Sequence, residues 1–286
     1  MAFLLRSIVL LAAFPGGSIL RALGENCILP TANYILLPLG LCNITDSAGQ
    51  AIQSYGSAVT FAGQAVCLEV NTVTNNLRVI SSAVCESDRG NTTIPQCASQ
   101  RGGLFQTDDN STTFNDIPES ELVADPGWEE WNNSGVAVHG TLDISDVALP
   151  INVGVITNGT NFTAGYLPLT NQSSLLQTLV DNNFIAERAF GIKIGTQILT
   201  NPQGGSLVIG GYDKGSLGGP LMNFSMDYPI TPVGGDRECP IQVTIEQLLY
   251  QSPTLGVKLL LGNGQTVTAC LEASVFSTVL ALFSSH

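Results

Sequence analysis

The residues able to do chemistry in this sequence are mainly carboxylates, because imidazole bases are almost absent. The 286 residues include two histidines, His139 in a strand-like segment and His286 at the last position. A Ser–His or Cys–His relay requires an imidazole beside its nucleophile, so serine and cysteine hydrolases are set aside. The sequence also has no G-x-S-x-G, H-E-x-x-H, P-loop or G-x-G-x-x-G motif. Acid–base chemistry would therefore rest on Asp and Glu.

Three segments occur in an order that suggests how carboxylates would be used. Residues 61–85 read FAGQAVCLEVNTVTNNLRVISSAVC, residues 135–140 read GVAVHG, and residues 205–213 read GSLVIGGYD. In the same order they resemble the first active-site strand, the flap hairpin and the Gly-x-Leu-x-(Leu/Phe)-Gly-Gly-x-Asp segment of the pepsin-like aspartic proteases. The resemblance extends over residues 61–213 and is most specific at its end.

The resemblance implies two β-rich lobes that each donate one aspartate to a cleft, and neither position carries aspartate here. The first catalytic position falls on Asn71 and the second on Glu272, with Thr72 kept beside the first and Val73 replacing a glycine. Aspartic proteolysis needs two carboxylates that share one proton. The Asn71 amide cannot accept a proton, and the extra methylene of Glu272 would displace its charge by about 1 Å.

We therefore expect a catalytically inactive homologue of a secreted acid endopeptidase that binds a peptide or protein in its cleft. Two alternatives stay open: an active acid endopeptidase, and a truncated product with no specific activity. The tyrosine of the family's flap has no clear counterpart, and Trp131 is nearest to it in spacing.

The cysteines indicate disulfides rather than a metal site. The seven residues form no CxxC pair and have no neighbouring histidine, so disulfides in an oxidising compartment are expected and no metal or cofactor is predicted. Cys85 with Cys97 is the first candidate for a bridge, and Cys239 with Cys270 is an alternative. The other cysteines are Cys27, Cys42 and Cys67.

Targeting signals predict a secreted glycoprotein. Residues 1–24 have Arg6 near the start, an apolar run and then small residues, which is typical of a signal peptide. The run is too short to span a bilayer comfortably, so no stable membrane association is expected. Eight Asn-x-Ser/Thr sequons predict N-glycosylation. They begin at Asn43, Asn91, Asn110, Asn132, Asn158, Asn161, Asn171 and Asn223.

The overall charge argues against nucleic acid as a partner. The formal net charge is −13, with 23 acidic and 10 basic residues, and such a surface repels phosphate backbones. We expect a monomer.

The elements that must position these residues are mostly short strands. Alternating apolar and polar residues predict strands at 65–70, 77–80, 136–144, 148–156 and 206–209. One helix is predicted through Leu175, Leu176, Leu179 and Val180, with Ser173 or Ser174 as its cap and residues 181–183 as its end. A weaker helix is predicted around residues 244–249, and residues 85–126 are predicted to be loops.

These elements predict an all-β protein with the pepsin-like bilobal aspartic-protease fold. The predicted divisions are a signal peptide at 1–24, an N-terminal lobe with an inter-lobe strand at 25–233, and the start of a C-terminal lobe at 234–286. Because the sequence ends shortly after Glu272, the N-terminal lobe is expected to be near complete and the C-terminal lobe incomplete, with open sheet edges.

Overall fold

The computed structural model describes fourteen stretches of the chain. They are residues 10–12, 33–46, 49–87, 93–107, 114–124, 135–158, 164–193, 195, 204–216, 242–245, 247–252, 256–261, 264 and 266–270.

Most of the described chain is β-structure, as the alternating patterns predict. Each predicted strand is present within one residue of its expected ends. The strands are β1 Leu10–Ala12, β2 Ile35–Thr45, β3 Ala51–Phe61, β4 Gln64–Asn71, β5 Leu77–Ile80, β6 Phe114–Ile117, β7 Gly135–Ile144, β8 Val147–Ile156, β9 Gly165–Pro168, β10 Phe190–Lys193, β11 Gly205–Ile209, β12 Gln242–Ile245, β13 Leu248–Ser252, β14 Gly256–Leu261 and β15 Val267–Cys270.

One large mixed sheet contains the first eleven strands, in the order β1-β10-β11-β2-β3-β4-β9-β5-β8-β7-β6. An additional antiparallel pairing joins β3 to β7, with Thr60 opposite Asp143 and Phe61 opposite Leu142. This pairing closes six strands, β3, β4, β9, β5, β8 and β7, into a ring, which protects their edges. Among the described residues, β12 pairs with β15 and β13 with β14 in two smaller sheets.

The main core fills this ring and continues beneath β2, β10 and β11. Strand β4 contributes alternate apolar residues Val66, Leu68 and Val70, and β8 contributes Val153 and Val155. The helices are α1 Ser82–Ser87, α2 Ile94–Gln100 and α3 Ser174–Asp181. Helix α3 packs on the same core. A second, smaller cluster joins β5 and β8 to α1 and α2 on the other face of the sheet; its members are Ile52, Ile80, Val84, Cys85, Cys97, Ala98, Leu104 and Ile156.

The predicted helix is confirmed, and its cap is Ser173. The Leu176 N–H donates to Ser173 Oγ over 3.2 Å, which satisfies one of the free donors of the first turn. Helix α3 ends at Asp181, with Asn182 as its C-cap.

Two predictions of secondary structure are wrong. Residues 85–126 are not all loops, because they include the end of α1, all of α2, β6 and a 3₁₀ helix at Glu119–Glu121. There the Gln96 side chain accepts a hydrogen bond from the Thr93 N–H over 3.2 Å and closes the first turn of α2. The weaker helix around residues 244–249 is replaced by β12 and β13. Pairing with β15 and β14 outweighs the local helical pattern.

Two disulfides hold the large sheet and its helices. Cys85 and Cys97 join α1 to α2, as predicted. Cys42 and Cys67 join β2 to β4 across β3, a bridge that the sequence did not identify. The alternative bridge between Cys239 and Cys270 was not tested, since Cys239 lies outside the described residues.

The ends of the predicted divisions are only partly described. Within the predicted signal peptide, β1 pairs with β10 at the edge of the large sheet. Strands β12 to β15 belong to the predicted start of the second lobe. No helix in the described stretches is long and apolar enough to cross a membrane.

Candidate functional site

Asn71 lies where the chain leaves the large sheet. It is the last residue of β4 and pairs with Pro168 of the parallel strand β9. Strand β9 sits between β4 and β5, so residues 72–76 must cross over the end of β9 to reach β5. The crossing spans two strand spacings, about 10 Å. The topology therefore places Asn71 and the following loop together at one end of the sheet.

The orientation of the Asn71 side chain is set by its backbone neighbours. Oδ1 accepts hydrogen bonds from the N–H groups of Val73 and Thr74, each over 2.7 Å. The backbone carbonyl of Asn71 accepts another from Leu169 over 2.7 Å. A flipped amide would direct its NH₂ group against two N–H donors. Asn71 is thus held with Oδ1 toward the loop, and Nδ2 has no acceptor among the described residues.

Two further asparagines anchor the loop to neighbouring segments of the chain. Asn75 Nδ2 donates to the Ala124 carbonyl over 2.8 Å, while Asn75 Oδ1 accepts a short hydrogen bond from Thr170 Oγ1. Asn76 Nδ2 donates to the Val123 carbonyl over 2.7 Å and Asn76 Oδ1 accepts from the Val123 N–H over 3.0 Å. Both asparagines are almost fully buried. Four hydrogen bonds thus fix the loop to residues 123, 124 and 170.

Two threonine hydroxyls of the loop are buried without a hydrogen bond. Thr72 is 2% exposed and Thr74 is 7% exposed, and neither Oγ1 atom has a partner among the described residues. Almost all buried polar side-chain atoms in native proteins have a partner. Val73, between them, is half-buried and does not adopt a positive φ, so its side chain fits without backbone strain. The loop therefore has two buried hydroxyl groups beside Asn71 that form no hydrogen bond with the described residues.

The structure also identifies a buried carboxyl that the sequence analysis missed. Glu69 lies two residues before Asn71 and hence on the same face of β4. On the neighbouring strand β9, Glu69 pairs with Tyr166, which on its other side pairs with Arg78 of β5. Glu69 is 6% exposed, and burial raises its pKa to about 7. An acidic residue inside an otherwise apolar strand was the signal available in the sequence.

Only some of the other predicted site residues lie in the part of the chain that the structure describes. Glu272 and Trp131 lie outside the described residues, so only Asn71 and Thr72 of the predicted cleft are placed. Of the sequons, Asn43 and Asn158 are exposed and Asn171 is half-buried. Those at Asn91, Asn110, Asn132, Asn161 and Asn223 lie outside the described residues. No group of three His, Cys, Asp or Glu side chains in the described stretches could hold a metal ion.

The chemistry offered by this arrangement is hydrogen-bond donation rather than proton transfer. An amide is neutral at every pH of interest, so Asn71 can orient a water or a carbonyl oxygen but cannot activate a nucleophile. Glu69 can exchange a proton near neutral pH, but it lies within the sheet and not in the loop.

No protein-family model matches this chain, and no curated protein matches its sequence.

Proposed function

We propose that this chain is a secreted relative of the pepsin-like aspartic proteases that binds peptide or protein ligands in a cleft beside Asn71 without hydrolysing them. The observation that carries the proposal is the fixed Asn71 amide. Its Oδ1 atom is occupied by the N–H groups of Val73 and Thr74, so the group left for a ligand is an NH₂ donor.

The position of Asn71 supports the family resemblance. The resemblance assigns the first catalytic position to this residue, and a catalytic side chain is held best at the end of a strand, on a loop fixed by further hydrogen bonds. Residues 72–76 meet this requirement through Asn75 and Asn76. The most specific motif, at residues 205–213, includes β11 and a turn at Gly210, whose φ of 87° favours glycine.

The donor character of the site favours a peptide carbonyl as the bound group. A carbonyl oxygen can accept from Asn71 Nδ2, whereas a proteolytic water would need a base to take its proton. The bound peptide would therefore not be cleaved. The proposed bilobal architecture, with Glu272 opposite Asn71, would supply the other wall of this cleft.

Secretion is part of the same proposal. Two disulfides and two exposed sequons support an oxidising, glycosylating compartment. The acidic composition of the chain is compatible with an extracellular protein.

A comparison of two ligands tests the proposal directly. An active protease binds a transition-state analogue at least about 100-fold more tightly than the matching substrate. We expect the purified protein to bind a statine-type peptide and its unmodified counterpart with similar affinity by calorimetry. We also expect no inhibitor-sensitive cleavage of a denatured protein at about pH 4.

Variants separate the outcomes of this test. Asn71→Ala should weaken binding of the unmodified peptide, whereas Asn158→Ala, at an exposed position, should leave it unchanged. Inhibitor-sensitive cleavage would instead support the active endopeptidase. Absence of both binding and cleavage would support a product with no specific activity.

A further inference from the structure

Within the described part of the chain, one half of β2 lies at an open edge of the large sheet. Strand β11 pairs with β2 only as far as Leu39, which lies opposite Gly205. On the other side, β3 follows β2 to its end, where Thr45 lies opposite Ala51. Within the described stretches, residues 41–45 thus have a neighbouring strand on one side only. An unpaired edge can add a strand from another molecule.

The open edge also carries an exposed apolar side chain. Leu41 is 66% exposed, the highest value among the large apolar residues described. Alternation along β2 places Leu41, Asn43 and Thr45 on the same exposed face. The residue opposite Leu41 on β3 is the half-buried Tyr55. Leu41 and this free edge together favour association between chains.

The sequon at Asn43 lies in the middle of this edge. Asn43 and Thr45, the two residues that define the sequon, are both exposed, and the strand holds them extended. The Asn171 sequon differs, because the hydroxyl of its third residue, Ser173, is buried and donates to the Pro168 carbonyl over 2.8 Å. Asn158 is exposed, but it follows the end of β8 rather than lying on an open edge.

We propose that Asn43 carries an N-linked glycan that shields Leu41 and blocks the open edge of β2. Asn43 Nδ2 forms a bond to C1 of the first N-acetylglucosamine, and the bond from C1 to a lipid pyrophosphate carrier breaks. The amide proton passes to a base of the transferase. The first sugar then lies over Leu41, two residues away on the same face, and the hydrated glycan keeps a second strand at a distance.

The attachment is tested on the full chain secreted from a eukaryotic host. Peptide mapping after enzymatic release of glycans in ¹⁸O-labelled water should show the label at Asn43. A secreted chain with unmodified Asn43 overturns the proposal.

The shielding is tested with matched variants by size-exclusion chromatography. Asn43→Gln removes the glycan and is expected to cause loss of the monomer peak, while Asn158→Gln should retain it. Adding Leu41→Ser to Asn43→Gln should restore the monomer, because the exposed apolar group is gone. Equal behaviour of the two single variants, or failure of the second substitution to restore the monomer, overturns the proposal.

Discussion

Asn71 and Glu69 lie on the same face of β4, two residues apart, yet their surroundings suit opposite chemical groups. Asn71 receives two backbone N–H donors at 2.7 Å, an arrangement that stabilises a negative charge. Glu69 has no such donors among the described residues, and burial raises its pKa to about 7. The position whose N–H donors would stabilise a negative charge holds the neutral amide of Asn71. The carboxyl of Glu69 lies where burial makes a charge unfavourable.

This difference shows that the loop after β4 needs an oxygen acceptor at residue 71 but not a negative charge. The N–H groups of Val73 and Thr74 are directed inward whether residue 71 is an amide or an acid, since either group offers them an oxygen. Asn71 therefore supports the conformation of the loop but offers no proton chemistry. Four variants of the chain test this separation.

The largest effect is expected when the Oδ1 acceptor at residue 71 is lost. Asn71→Leu leaves the buried Thr74 N–H and the partly buried Val73 N–H unpaired, so the free energy of unfolding should fall by about 3 kcal/mol. Urea denaturation followed by circular dichroism measures it. Asn158→Leu, at an exposed position, is the control and should change stability little. A loss at Asn71 below about 1 kcal/mol would contradict the importance of these hydrogen bonds.

Glu69 should make the protein less stable as the pH rises. Its folded pKa of about 7 exceeds the reference value of 4.5, so the folded state retains a proton that the unfolded state releases. The penalty is absent below about pH 4.5, grows through the window between the two values and is complete above 7. Its upper limit is about 3 kcal/mol, and we expect about 2 kcal/mol because solvent screens part of the charge.

Glu69→Gln should abolish this dependence while preserving the shape of the side chain. Unfolding free energies at pH 5 and pH 8 measure the effect in the wild type and the variant. Glu121→Gln, at an exposed carboxylate, provides the control. An equal loss of stability in wild type and Glu69→Gln would show that Glu69 is not its source.

The strands around this pair were predictable from sequence, whereas their polar environment was not. Period-two alternation identified β5, β7 and β8, because each buries a regular set of apolar residues. The Cys85–Cys97 bridge was also predicted. The hydrogen bonds from Val73 and Thr74 to the Asn71 side chain are local. The hydrogen bond from Leu169 to the Asn71 carbonyl and the burial of Glu69 depend on β9, which reaches β4 from almost a hundred residues later. Such long-range pairing leaves no local signal.

The missed helices and strands have the same cause. Helix α2 is short and lies in a polar stretch, and its buried side, with Cys97 and Ala98, is formed by contact with the sheet. Strand β12 carries the β-branched residues Val243, Thr244 and Ile245, which the apparent helical spacing of the following leucines obscured.

Asn71→Asp should show a pH effect opposite in sign to the one expected for Glu69. The two N–H donors lower the folded pKa of the new carboxyl below its unfolded value near 3.9. Its contribution is present above the unfolded pKa and is lost as the pH falls through the folded pKa. Relative to the wild type, the variant should gain about 1 kcal/mol between pH 2 and pH 6, a range in which Glu69 stays mostly protonated.

Denaturation at these two pH values measures the gain, and Asn158→Asp is the control for an exposed carboxyl. A variant that loses stability toward pH 6 would show that burial outweighs the two donors. The same variant should remain inactive toward protein substrates, since Glu272 is predicted to stand at the other catalytic position.

The smallest effect is expected at Thr72, where the comparison concerns a hydroxyl rather than a charge. Thr72 Oγ1 is buried without a partner in the described part of the chain, so Thr72→Val replaces an unsatisfied polar atom with a methyl group of similar size. We expect no loss of stability and a gain of up to about 1 kcal/mol. Ser173→Ala is the contrasting control, because it removes a hydroxyl that caps α3 and should cost about 1 kcal/mol. A comparable cost at Thr72 would mean that its hydroxyl is already bonded, and the loop beside Asn71 would then lack the buried hydroxyl group that a bound peptide would engage.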